Sequence, residues 1–306
     1  MSRSIYQLIC DNIKDGVLDE NFEIPDEGGS EIKWAPGAMD GVTLYHSAHQ
    51  GLGPDETKKM ARALKAAASD NFPEADALFK EWTERNRAVS VVDELQDYVI
   101  KHADRLPPRG MHNTAMNLVL NSEHKECVKI GLEILELFGE PDEAIKEMIR
   151  RVGLYEEFTI FSVWNMQKWE SGNDEIFKLA RKVSSWGRIH AVERLEPETE
   201  EIRHWILTEG AMNYVMPAYT ALTCWYKSQA EEVLFCRPTT EEFAGIATMI
   251  EGLLDEGPVA GISRIDNAFE ILSRFVTIAP EYQLTDDEFR VVESAKEWLD
   301  APDVMN

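Results

Sequence analysis

The chain is 306 residues long, and its 44% hydrophobic and 28% charged residues describe a folded protein with a sizeable core rather than a disordered one. Its 56 Asp and Glu against 31 Lys and Arg leave a net charge of −25. A field of that sign repels nucleic acids and anionic membrane surfaces, so neither is expected as a partner.

The opening MSRSIYQLICDNIKDGVLDE has one short apolar stretch, Ile5 to Ile9, which Gln7 interrupts and Asp11 follows, so no signal-peptide apolar region is expected there. No eighteen apolar residues run together anywhere, so no spanning helix is expected. Cys10, Cys127, Cys224 and Cys236 are scattered without a CxxC pair and read as small reduced core residues, which points to the cytoplasm. Residues 1–54 read as an N-terminal helix plus an irregular segment packed on the rest. Within it, Asn21–Ile24 and Glu31–Trp34 flank the turn-rich residues 25–30 and form either a small β-hairpin or an acidic loop. Eight acids between residues 11 and 31 stand against Lys14 alone.

From Asp55 onward helical periodicity dominates, and residues 55–306 are expected to form one helical domain of about fourteen helices. Met60, Ala61, Leu64, Ala67 and Ala68 make a stripe behind Gly53-Pro54; Ala75, Leu78, Phe79 and Trp82 make the next; Val89, Val92, Leu95 and Val99 follow until Pro107-Pro108. Cys127, Val128, Gly131, Ile134, Leu135 and Phe138 form the clearest stripe, stopped by Gly139 and Pro141. Thr239 with Glu242, and Thr285 with Glu288, have capping-box spacing before apolar runs.

A run of short helices prompts a search for internal repeats. Phe138-x6-Ile145-Lys146-x2-Ile149-x3-Gly153 matches Leu195-x6-Ile202-Arg203-x2-Ile206-x3-Gly210 at a spacing of 57, each with a proline (Pro141, Pro197) and acids opening the second helix and a glycine closing it. Met249-x3-Leu253-x3-Gly257 is a looser third copy. The segment Ser184–Arg203, where a helix rich in small residues meets a short acidic turn before the next helix, resembles a HEAT-type repeat, and the resemblance covers about residues 112–260. The resemblance implies an all-α fold, an irregular right-handed α-solenoid of helical hairpins with a concave binding surface. Two HEAT-like activities do not carry over. The chain has no His-Glu dipeptide to hold a di-iron centre, and its charge is the wrong sign for a DNA glycosylase.

His46 and His49, with Asp40, are the most metal-like grouping, but no HExxH context or second histidine pair accompanies them, and no metal or other cofactor is expected. The glycines of 37–41 and 51–53 lack the strand and lysine of a phosphate loop. No nucleophile elbow occurs, so no catalytic residue is assigned. Trp186, Arg188, His190, Arg203 and Trp205 instead concentrate the residue types that dominate binding hot spots, with burial of the tryptophans as the opposing reading. The expectation is therefore a non-enzymatic protein-binding scaffold. Its acidic surface would recognise a basic protein, in the manner of an immunity protein or antitoxin. The alternative is an enzyme or small-molecule binder with a pocket in the aromatic-rich segment 155–226.

Overall fold

The computed structural model describes residues 3–25, 33–48, 51–257 and 259–301. Among these the protein is all-α, with seventeen α-helices and one two-stranded antiparallel sheet. None of the helices is long and apolar enough to cross a membrane. The chain divides into two compact units, Met1–Val183 and Ser184–Asn306. The boundary lies there and not at residue 54, because the N-terminal helices pack inside the first unit.

The first unit contains α1 (Ile5–Asp11), β1 (Ile13–Lys14), β2 (Val17–Leu18), α2 (Ala38–His46), α3 (Pro54–Ala68), α4 (Phe72–Thr83), α5 (Ala88–Lys101), α6 (Pro108–Asn121), α7 (Lys125–Glu136), α8 (Glu143–Gly153), α9 (Thr159–Met166) and α10 (Gly172–Ala180). Hairpin α3–α4 stacks on hairpin α6–α7, with α3 against α6 and α4 against α7. Helix α1 lies on α6 and α8, and α2 lies on α5. Most of the predicted stripe residues drive this: Met60, Leu64, Phe79, Trp82, Leu95, Cys127, Val128 and Ile134 are buried, while Ala61, Leu78, Val92 and Val99 are half-buried. Phe138, beyond the end of α7, is exposed.

A small hairpin forms at residues 13–18, a different place from the one expected at 21–34. Residues 21–25 carry no strand, and 26–32 lie outside the described residues. The pairing is Ile13 with Leu18 and Lys14 with Val17, across Asp15 (φ 52°) and Gly16 (φ 76°). Two successive positive φ values are what a tight two-residue hairpin demands, and Asp-Gly supplies them. The thiols divide as well: all four are free, but only Cys127 and Cys224 are buried, while Cys10 is half-buried and Cys236 exposed at the end of a short helix.

The second unit contains α11 (Ser185–Arg194), α12 (Glu200–Glu209), α13 (Ala218–Ser228), α14 (Ala230–Phe235), α15 (Thr240–Leu254), α16 (Ala268–Ile278) and α17 (Asp286–Leu299). Helix α13 packs against α11, α12 and α15, and α17 against α15 and α16. Both predicted capping boxes are formed, Thr239 with Glu242 and Thr285 with Glu288.

The 57-residue correspondence appears in the caps. Asp142 accepts the Ile145 N–H at 3.0 Å and Thr199 accepts the Ile202 N–H at 3.2 Å, so α8 and α12 open in the same way. Their closing glycines serve a different purpose from the one the pattern suggests. Gly210 has φ −58°, an ordinary right-handed value, so no left-handed cap requires it. A Cβ on Gly210 would stand 2.8 Å from the Cys224 sulfur in α13, and one on Gly153 would stand 2.8 Å from the Ser162 Cβ in α9. Each glycine lets its helix approach the next. Gly210→Ala is therefore expected to destabilise the protein by about 1–3 kcal/mol through overpacking. Urea unfolding measures this, and an unchanged midpoint would show that α12 and α13 are not so close.

Candidate functional site

The five residues singled out by sequence lie on α11 and α12, and the structure separates them into core and surface. Trp186, His190 and Trp205 are buried. The Trp186 ring packs 4.9 Å from that of Tyr219 on α13, so it joins helices. Burial, with a smaller contribution from the Arg194 charge, lowers the His190 pKa to about 3, and the ring is neutral at physiological pH. Arg188 and Trp205 are brought together, with the guanidinium 5.4 Å over the indole. Arg203 turns to a different neighbour, donating to Gln229 Oε1 at 3.1 Å.

Above the buried tryptophans, Arg188 donates a hydrogen bond to the Met212 carbonyl at 3.2 Å, and so braces the connection between α12 and α13. Asn213 fixes that connection from within. Its side chain is buried and makes five hydrogen bonds: Nδ2 donates to Ala211 O, Met216 O and Thr220 Oγ1, and Oδ1 accepts from the N–H groups of Val215 and Met216. An asparagine that bonds to the backbone two and three residues ahead is a turn-forming device. The turn forces Tyr214 into the left-handed region at φ 55° and leaves it 92% exposed, beside a 42% exposed Met212.

Holding a tyrosine in that conformation costs on the order of 1–3 kcal/mol, and it persists only where the surroundings impose it. Here a buried asparagine and an arginine–tryptophan platform do so. The result is a rigid turn that presents an aromatic and a thioether to solvent. Sequence reasoning placed Tyr214 among the aromatic residues of 155–226 without distinguishing it. The available signal was its position: an Asn-Tyr pair in the aperiodic stretch between two helices, ahead of Pro217. The second unit as a whole is strongly acidic, since residues 184–306 contain 23 Asp and Glu against nine Lys and Arg.

Of the metal-like grouping, only His46 and Asp40 fall among the described residues, and they lie in different surroundings. His46 is exposed at the end of α2, and His49 lies outside the described residues. Asp40 is fully buried in a different cluster, with Glu126 and Glu157, whose carboxylate oxygens lie within 4.8 Å of one another. The Lys129 ammonium occupies the middle, 2.6 Å from Asp40, 2.7 Å from Glu126 and 2.5 Å from Glu157. Arg87 adds two hydrogen bonds to Asp40 Oδ1 at 2.7 and 3.0 Å, while Glu126 accepts the Ala88 N–H and Glu157 the Gly37 N–H, both at 2.8 Å. Burial opposes the lysine's charge, but the three carboxylates outweigh it and hold its pKa up. Nearby Glu133, wholly buried, has its pKa raised well above the ordinary value by burial and by the Glu126 and Asp40 charges. The cluster is a filled ionic cage that pins α2 to α5, α7 and the turn after α8.

No protein-family model, curated protein or solved structure matches the chain.

Proposed function

We propose that this protein is a non-enzymatic binding scaffold for a basic protein partner, anchored by the turn at Met212–Tyr214. The observation that carries the reading is Tyr214 itself: a large aromatic, 92% exposed, on a backbone that four hydrogen bonds of the Asn213 side chain hold in place. Tyr and Arg are enriched among residues that dominate binding energies, and a pre-ordered anchor avoids the entropic cost of being ordered on contact. The excess of 14 negative charges in residues 184–306 (23 acidic, nine basic) supports a cationic partner and a fast, salt-sensitive encounter. In this reading Trp186, His190 and Trp205 support the surface from beneath, and Arg188 braces the anchor.

The stacked hairpins α3–α4 and α6–α7, and the matched openings of α8 and α12, favour a HEAT-like helical-repeat frame for such a scaffold. Four free thiols suit the reducing cytoplasm.

Affinity capture with the intact protein, followed by titration of the retained partner, tests the proposal. The wild-type chain is expected to retain a basic protein that high salt releases, and Tyr214→Ala to weaken that binding at least about tenfold while melting like wild type. Equal binding by Tyr214→Ala, or a partner held without salt sensitivity, overturns it.

A further inference from the structure

The first unit contains a feature that runs against the charge of the whole chain. Between α1, the β1–β2 turn, α8 and α10 lies a cleft of about 350 Å3, at the small end of the volumes that enclose small-molecule ligands (roughly 300–1,000 Å3). Four cationic side chains line it, Arg150, Arg151, Lys178 and Lys182, against only two acidic ones, Glu147 and Glu175.

The two acids are already committed. Glu147 is 2.7 Å from Arg151 and 3.7 Å from Arg150; Glu175 is 2.7 Å from Arg150 and 3.0 Å from Lys178. Arg150 is also paired with Glu143. Lys182 makes no ion pair among the described residues. The position opposite its ammonium is Gly16, where a Cβ would stand 3.4 Å from the Lys182 nitrogen. Because the left-handed turn at φ 76° favours glycine, no side chain covers that corner of the cleft.

The floor differs in kind from the rim. Leu154, Met166 and Leu179 line the cleft as buried apolar residues, and half-buried Ile13 joins them from β1. Exposed Arg151, Lys178 and Lys182 stand at its edge. Apolar walls lower the local dielectric and strengthen the attraction of the rim cations for an anion.

We propose that this cleft binds a small organic anion with an apolar body, its carboxylate or equivalent head held at Lys182 and its body against Leu154, Met166 and Leu179. Segment 155–226 supplies Met166, Glu175, Lys178, Leu179 and Lys182 to the wall but no aromatic side chain, so this cleft is a different one from the aromatic-lined pocket of the small-molecule alternative. The cleft belongs to the first unit and the Tyr214 turn to the second, so the two proposals stand or fall separately.

Calorimetric titration of the intact protein tests the inference with four probes: octanoate, octan-1-ol, acetate and inorganic phosphate. Octanoate is expected to bind one-to-one and saturably, with octan-1-ol, acetate and phosphate each at least about tenfold weaker, because each lacks either the charge or the apolar body. Lys182→Glu is expected to weaken octanoate at least about tenfold. Lys58→Glu, an exposed lysine on α3, should leave it unchanged and so control for overall charge. No saturable octanoate binding, equal binding of octan-1-ol or phosphate, or equal effects of the two lysine variants each overturns the proposal.

Discussion

Lys129→Met is expected to cost about 3–5 kcal/mol of folding stability, the largest loss from any single side chain considered. The methionine fills similar space but leaves Asp40, Glu126 and Glu157 facing one another with Arg87 as their remaining cation. Like charges confined away from water either repel or take up protons, and both routes draw on folding free energy. The wild-type cage contributes much less than this figure, because assembling it required desolvating every member. Urea unfolding at neutral pH provides the measurement. A change under about 1 kcal/mol would mean that the carboxylates are hydrated or protonated in the fold. Molar salt should do little to wild-type stability at this site, since Lys129 and Asp40 are wholly buried and ions cannot screen them.

Acid should weaken the second unit through His190. The ring's pKa is about 3 in the fold, against an ordinary 6.5, so the unfolded chain takes up a proton that the native state refuses. The contribution is intact above pH 6.5 and is lost progressively as pH falls toward 3. By pH 5 the loss is about 2 kcal/mol, and near pH 3, where the native ring itself begins to take up the proton, it reaches about 4 kcal/mol and begins to level off, at 1.36 kcal/mol per pH unit. His190→Leu removes the group that titrates, so its stability should fall less between pH 7 and pH 5 than wild type's. Parallel declines for the two proteins would show that water or a rearrangement accommodates the imidazolium.

Much of this architecture is legible in the chain because helix signals are local. The stripe from Cys127 to Leu135 and the boxes at Thr239 and Thr285 each involve residues a few positions apart, and the helices follow. The brief hairpin at Asp15-Gly16 was encoded just as locally, but two-residue strands leave no alternation to detect. The chemistry is harder to read. Asp40, Arg87, Lys129 and Glu157 are spread over 117 residues, and each alone resembles a solvated surface charge. Lys129 and Glu133, four apart on α7, lie on the face that its apolar stripe leaves over, and it takes tertiary packing, with α5 and α9 against α7, to bury them. The tryptophans at 186 and 205 carried the opposite ambiguity. Composition allows them on a surface, and tertiary packing placed them beneath one.

The ionic cage also bears on the order in which the first unit is completed. Asp40 meets Arg87 across 47 residues, and the Gly37 amide meets Glu157 across 120. Closing loops of that length has an entropic cost that no single contact in the cage repays while its neighbours are still hydrated. During synthesis α2 is made early, but Glu157 must emerge before its last partner exists. The hairpins α3–α4 and α6–α7 need no such wait, since their helices are neighbours in sequence. The cage is thus complete only once Glu157 is in place, and α2, which precedes it by more than a hundred residues, is expected to dock stably only then.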